Sequence, residues 1–295
     1  MKILIIGGHS VRHPSLDRMT QYVTFFEEAG GYAEFCSYDD LIFWITNNSI
    51  EVSNGRTGLP IEIYDVIVLR GRIDPYMMFA EALCLYAKQK RIRFFNDYSR
   101  FATHSKLPQA ITMQQHGLPI PATLVCDNPD ELARQAARRL EYPIIAKDAY
   151  GRHGSNNFLV RNAATLKAVL REHSGITFVL QEFIPNDGDY RVLIAGDREL
   201  IIRRQALPGS HLNNTSQGGT ASLVPVADFP AKPLRQAHEI ATALGLTLAG
   251  VDIVQNRDSG DMVFLEVNMK PQLINGAFLD EKKHLIAGFL ANSTL

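Results

Sequence analysis

The sequence predicts an open α/β domain of parallel strands over about its first 100 residues, followed by α+β segments built largely from antiparallel hairpins. Three observations carry this. Near the N-terminus, unbroken apolar runs alternate with segments of helical spacing, the order expected of a parallel sheet with crossover helices. From about residue 140 onward, apolar runs are joined by short polar turns instead, the pattern of hairpins. In the most informative of these, residues 249–254 and 263–268 flank a polar turn at 256–261, and acid and amide side chains stand among residues that otherwise want burial.

Residues 2–6 are continuously apolar, as in a strand covered on both faces, and Gly7-Gly8 ends the run. Leu16, Met19, Val23 and Phe26 repeat at helical spacing within residues 15–29, and Gly30-Gly31 stops that helix. Further strands are expected at 33–37, 64–69 and 92–95, with a helix over 79–90 that closes in a basic run favoured by the helix dipole. Gly7-Gly8 lacks the spaced glycines of a dinucleotide turn. His9 and His13 read as ordinary loop histidines, because no acid or cysteine stands at metal spacing nearby. Arg70 and Arg72 follow the third strand, and ligands of such sheets sit beyond the carboxyl ends of strands. Either arginine could hold a substrate carboxylate bidentately or face solvent in a loop.

Helices are expected from Ser105-Lys106 to about residue 116, over 130–140 and over 165–171. Residues 143–148 read as a strand with Lys147 inside its apolar pattern, and residues 158–160 resume a strand after Gly151, Gly154 and Ser155. A glycine-bearing loop between antiparallel strands can fold over phosphates with its backbone N–H groups, and Lys147 beside it supplies a compact positive charge. Residues 177–184 form a strand that runs through Glu182-Phe183-Ile184 and is stopped by Pro185. The edge of such a strand can offer backbone groups to adenine while an acid takes ribose hydroxyls, with Glu182 and Asp189 the candidates.

Residues 189–195 and 200–204 form a hairpin with Arg191 and Arg203 inside its strands, where a guanidinium needs an anion. The 207–219 loop is rich in turn formers and too long for an idle connection. Helices over 233–244 and 280–291 bracket the hairpin at 249–268. Residues two apart in a strand share a face, so Glu266 and Asn268 point the same way, and Asp252 joins them if the strands pair. Three hard oxygen ligands on one face suit Mg²⁺, because a cation offsets the cost of burying carboxylates together. The alternative is an acid capped by an arginine or left at a wet strand end.

Composition sets outer bounds. The 295-residue chain is 46% apolar and 21% charged, ordinary for a globular protein, and its net charge of -1 gives no field for nucleic acid or an anionic membrane. Cys36, Cys84 and Cys126 are widely spaced and cannot all pair, so a reducing compartment, the cytoplasm, is the simple reading. The apolar run at 2–6 is too short for a signal peptide, and no run spans a bilayer. Homo-oligomerisation is left open.

Taken together, the order of parts resembles the ATP-grasp superfamily, most closely its carboxylate–amine ligases of the ribosomal protein S6 modification (RimK) type. The resemblance covers nearly the whole chain and rests on several motifs: Gly250-Val251-Asp252-Ile253 with Phe264-Leu265-Glu266-Val267-Asn268; Gln181-Glu182-Phe183-Ile184 with Asp189-Tyr190-Arg191; Arg203-Arg204; and Asn214 before Gly218-Gly219. It implies an N-terminal pre-ATP-grasp domain over 1–100, then a two-subdomain ATP-grasp fold over 101–185 and 186–295. Lys106 and Lys147 would contact the ATP phosphates under the 151–157 loop, residues 182–184 would hold adenine, and Asp189 the ribose. Asp252, Glu266 and Asn268 would carry two Mg²⁺ ions, Mn²⁺ being an alternative, and Arg203, with Arg191 and Asn214, would stabilise the transferring phosphoryl group and an acyl phosphate.

Two stretches depart from the family. Met269-Lys270-Pro271-Gln272 replaces a Pro-Gly pair beside the metal residues, and 205–213 lacks the usual basic loop. Both border the acceptor side, where Arg70, Arg72 and Lys270 are the expected substrate cations. The leading expectation is an ATP- and Mg²⁺-dependent ligase joining a carboxylate to an amine of an amino acid or peptide. The alternatives are a non-catalytic ATP-binding scaffold or a kinase on the same fold. No Ser-His-Asp or Cys-His arrangement calls for a protein nucleophile.

Overall fold

A strand covered on both faces must be apolar at consecutive positions, and the first strand meets that condition: Ile3, Leu4, Ile5 and Ile6 are all fully buried. The computed structural model describes residues 1–8, 16–71, 73–99, 106–151, 156–207 and 218–291. Its N-terminal part comprises β1 (Lys2–Gly7), α1 (Leu16–Glu28), β2 (Tyr32–Ser37), β3 (Leu41–Ile45), β4 (Ile50–Asn54), β5 (Val66–Arg70), α2 (Met77–Lys90) and β6 (Arg93–Phe95). The parallel sheet runs β2-β1-β5-β6. The β3–β4 hairpin was not anticipated. It stands as its own two-stranded sheet, turned at residues 46–49, where the Thr46 N–H donates to the Ser49 carbonyl.

Next come α3 (Lys106–Gln115), β7 (Thr123–Val125), α4 (Pro129–Arg139), β8 (Ile144–Asp148), β9 (Asn157–Val160), α5 (Ala163–Glu172) and β10 (Phe178–Glu182), with an antiparallel sheet ordered β7-β10-β8-β9. Asn128 and Asn162 cap α4 and α5, each accepting a backbone N–H through its side-chain oxygen. The rest comprises β11 (Asp189–Ala195), β12 (Arg198–Gln205), β13 (Thr220–Val224), α6 (Ala231–Ala243), β14 (Leu248–Gln255), β15 (Met262–Asn268) and α7 (Leu279–Ala291), with an antiparallel sheet ordered β13-β12-β11-β14-β15. The short strands β7 and β13 were also missed; three and five residues leave little periodicity to read.

Packing divides the molecule differently from its sheets. The middle unit has a core of its own, with Leu132, Ala136, Ile144, Ala146, Leu166 and Phe178 between its sheet and α4 and α5. The other two sheets share theirs. Leu4, Ile67 and Leu83 belong to one cluster with Val251, Ile253 and Phe264, and Ile3, Val68 and Phe26 belong to a second with Leu193, Leu248 and Ile286. The N-terminal sheet and the five-stranded sheet therefore form one continuous body, and the four-stranded antiparallel unit packs as a separate layer of structure.

Asn96 fastens that body. It sits just past β6 at φ 63, in the left-handed region that asparagine tolerates. Its amide donates to the Leu248 carbonyl at 2.9 Å and the Met269 carbonyl at 2.6 Å, and its oxygen accepts the Leu248 N–H at 2.8 Å. Asn96→Ala would strand three buried backbone groups. It is expected to cost about 2–4 kcal/mol, read as a lower urea midpoint; an unchanged midpoint would show the clamp to be dispensable. No helix among the described residues is long and apolar enough to cross a membrane.

Candidate active site

Alternation along the five-stranded sheet decides which polar side chains meet. Directly opposed residues in an antiparallel pair share a face. Asp189 opposes Arg204, Arg191 opposes Asp252, and Asp252 opposes Glu266, while Asn268 lies two residues farther along β15. One face of this sheet thus gathers Asp189, Arg191, Arg204, Asp252, Glu266 and Asn268. Arg191 grips Asp252 bidentately at 2.8 and 2.7 Å, Arg204 grips Asp189 at 2.6 and 2.8 Å, and Arg204 also reaches Asp252 at 3.1 Å. Burial alone would raise the Asp252 carboxyl, but the Arg191 and Arg204 guanidiniums outweigh it and hold the group at about 2.

Arg203, the arginine favoured from sequence, lies on the other face. It opposes Tyr190 and its guanidinium stands 5.8 Å over that ring, which in turn packs edge-on against Phe229. Adjacent residues of a strand point to opposite sides, so only one of the pair can face the acids, and it is Arg204. Asp189, expected at a ribose, is instead buried within β11 with both oxygens engaged by Arg204.

The facing lysines come from the middle of the chain. In β8, Ile144 and Ala146 enter the core between the sheet and its helices, so Lys147 turns the other way, toward the acids. It is only 8% exposed. Burial and the Lys106 charge pull its ammonium down to about 8, against the opposing pull of Glu266 and Asp252. Lys106 opens α3, and its ammonium donates to the Gly151 carbonyl at 2.8 Å. A buried Gln109 fixes that helix by accepting the Val267 N–H at 3.1 Å, which ties Lys106 to the strand bearing Glu266.

Asn268 turns its amide N–H to Asp252 at 3.1 Å, leaving its oxygen unengaged, and the half-buried Glu266 carboxylate makes no hydrogen bond or ion pair among the described residues. Three acidic, histidine or cysteine side chains do not converge at metal distance anywhere among those residues. At the end of β10, the Glu182 carboxylate accepts the Ala122 N–H at 3.3 Å, Phe183 follows half-buried, and Ile184 packs with Val254 and Val263. Arg70 ends β5 on the α1 side, 2% exposed and 5.6 Å over the Tyr22 ring, and its Nε and Nη2 have no hydrogen-bond partner among the described residues. Lys270 reaches the adjoining Gly71 carbonyl at 3.4 Å. Arg72, Gly154, Ser155, Asn214, His9 and His13 lie outside the described residues.

The middle unit, with Lys147 on its β8–β9 hairpin, meets the five-stranded sheet with its acids and arginines here, with Lys106 at the start of α3 alongside, and the fold defines an ATP-grasp protein. The model of the RimK-like ATP-grasp domain matches residues 103–283, and the chain belongs to that family. Among curated proteins it is similar to a probable alpha-L-glutamate ligase of Xanthomonas axonopodis pv. citri (strain 306), 32% identical over 176 residues. That match spans 58% of this chain and 58% of the relative, less than two thirds of its length. Among solved structures it resembles the ATP-grasp ligase PsnB complexed with a phosphomimetic variant of a minimal precursor, Mg and ADP (17% identity, TM-score 0.69, covering 99% of this chain and 98% of that one). It also resembles the macrocyclase MdnC of Microcystis aeruginosa MRC bound with precursor peptide MdnA (16% identity, TM-score 0.66, covering 99% and 100%).

Proposed function

We propose that this protein is an ATP- and Mg²⁺-dependent ligase that activates a carboxylate as an acyl phosphate and joins it to an amine of an amino acid or peptide. The observation that carries this reading is the enclosure of Lys147 between the two units, opposite the Asp252 and Glu266 carboxylates. A buried ammonium lowered toward neutrality on a face of acids and arginines fits a triphosphate bridged to cations. Family membership and the Mg and ADP in a structural neighbour support it.

A carboxylate resists amines because its leaving group is poor. In the proposed reaction a carboxylate oxygen bonds to the γ-phosphorus as the bridge to ADP breaks. The amine nitrogen then bonds to the acyl carbon, phosphate departs with the old carboxylate oxygen, and the amine gives up a proton. Such transfer asks mainly for positioning and charge neutralisation. Lys106 and Lys147 would hold the phosphates beside Gly151, Gly154 and Ser155, with Glu182, Phe183 and Ile184 along the adenine. Arg191 and Arg204 would meet the transferring group, joined by Asn214, while Asp189 keeps Arg204 in place. The Glu266 carboxylate and the Asn268 oxygen, which make no hydrogen bond among the described residues, are hard donors that fit Mg²⁺, with Asp252 across the ladder as the third. When bound, the ion would neutralise phosphate charge. Arg70, whose buried guanidinium meets no anion among the described residues, would take a substrate carboxylate, with Arg72 and Lys270 beside it.

The test is ADP release from ATP and Mg²⁺ against pooled amino acids and short peptides, with hydroxylamine as a trap. Carboxylate-dependent ADP together with a hydroxamate is expected. ADP release that needs no carboxylate, or that phosphorylates a hydroxyl, would overturn the reading.

Lys147 adds a pH signature. Unliganded, it loses its proton near 8, below the ordinary lysine value of 10.5. Phosphates raise the value in the complex, so affinity is full below pH 8 and is lost as pH rises toward the bound-state value. AMPPNP binding by calorimetry is expected to weaken by up to about tenfold per pH unit above that point, and Lys147→Arg to flatten the profile. A flat wild-type profile would take Lys147 off the phosphates.

A further inference from the structure

A further buried cation lies beside Arg191. Lys282 is the fourth residue of α7 and only 4% exposed. Its ammonium donates to the Asn275 carbonyl at 2.9 Å and forms no ion pair among the described residues; the nearby Asp280 pairs with Lys283 instead. Three features oppose a positive charge there. Burial disfavours it, the N-terminal turn of a thirteen-residue helix carries partial positive charge of its own, and Arg191 is the charged group that acts on it. Burial first, then Arg191, pull the ammonium down to about 8. An unneutralised buried cation in such a place is costly until an anion arrives.

The surroundings leave a way in. The turn over Lys282, residues 275–277, is exposed. Its Gly276 sits at φ +79, where a side chain would be strained, and a Cβ there would stand 3.8 Å from the Lys282 ammonium and 3.6 Å from the Gln272 Oε1. The ammonium is thus covered on that side by bare backbone. Arg191 separates this spot from the nucleotide side: its guanidinium grips Asp252, and its stem lies 3.5 Å from where a Gly250 Cβ would be, next to Pro271. The Lys282 ammonium lies with the Gln272 side chain under the 275–277 turn, on the Pro271 side of Arg191, whereas Lys147 lies toward Asp252 and Glu266.

We infer that Lys282, beneath the 275–277 turn and beside Arg191, binds a carboxylate of the amino acid substrate. The inference rests on the ligase reading and names a group that reading does not use. Its chemistry, an ammonium with donors to spare, would serve a carboxylate or a phosphate, and the test separates the two.

Full-length wild type, Lys282→Met and Lys282→Arg are melted with AMPPNP and Mg²⁺ present. The probes are L-amino acids, the carboxamide of each, and inorganic phosphate. At least one amino acid is expected to stabilise wild type while its carboxamide does not. Lys282→Met is expected to bind that amino acid at least about tenfold more weakly, and Lys282→Arg to retain most of the shift. The AMPPNP–Mg²⁺ and phosphate shifts should be unchanged in both variants. If Lys282→Met does not fold, Lys282→Gln, which keeps a donor to the Asn275 carbonyl without the charge, replaces it. An amino acid shift that survives in Lys282→Met, a shift lost for phosphate instead, or a wild type that no amino acid stabilises would each overturn the inference. A wild type that AMPPNP and Mg²⁺ fail to stabilise would remove the ligase reading, and this inference with it.

Discussion

Asp252→Asn is expected to lose stability and acid sensitivity together. The carboxylate is the shared anion of two largely buried guanidiniums, Arg191 and Arg204. Removing its charge leaves them, among the described residues, with only Asp189 between them. Breaking a buried ion pair by deleting one partner costs about 3–5 kcal/mol, far more than the loss of an exposed pair such as Arg134–Glu131. The pH dependence has a definite sign. The folded-state value, about 2, lies below the ordinary 3.8. Asp252 therefore contributes fully above the unfolded value, and its contribution is lost as pH falls through the folded one. From that difference the acid-labile part is about 2 kcal/mol. Urea unfolding from neutral pH down to about pH 2 reads both effects. The gap between wild type and variant should be widest at neutral pH and shrink on acidification; a constant gap would mean that the charge is not what Asp252 supplies.

Glu266→Gln should separate the two roles that Asp252 combines. No group among the described residues hydrogen-bonds to or ion-pairs with the Glu266 carboxylate, whose charge favours the Lys147 ammonium but is crowded by the Asp252 carboxylate on the same face. Losing its charge should leave the melting temperature unchanged or slightly raised. Turnover should instead fall by at least about 10²–10³-fold, the scale of losing one preorganised charge at a reacting centre, and the Mg²⁺ concentration needed for half-activity should rise. Carboxylate-dependent ADP release and a thermal melt on the same sample decide it. A variant with full Mg²⁺-dependent turnover would take the ion off Glu266, and one that melts far below wild type would show Glu266 to be a structural partner.

Much of the site could be read from local pattern. Lys147 interrupts an apolar strand whose alternate residues, Ile144 and Ala146, must be buried, so its direction follows from period two alone. Glu266 and Asn268 share a face for the same reason, and the turn at 256–261 brings Asp252 opposite Glu266. The parallel N-terminal sheet likewise follows from runs such as 3–6, which only a doubly covered strand can bury. The β3–β4 hairpin had a signal too, an unbroken apolar run through Phe43 and Trp44 ended by the turn formers Thr46-Asn47-Asn48-Ser49.

The remainder was decided by partners far away in the chain. Arg203 and Arg204 are adjacent and chemically identical; the register of β12 on β11 places one over Tyr190 and the other against Asp189 and Asp252. Asp189 reads from sequence as the acid for a ribose, and only Arg204, 15 positions on, shows it to be a buried counter-ion. Lys282 reads as one polar residue of an amphipathic helix until α7 is laid against the 269–278 segment and Arg191. Periodicity is a local property, so the sequence alone determined the longer strands and helices and which of their residues share a face. Register, burial of charge and choice of counter-ion depend on contacts across the chain, and those only the tertiary structure decided.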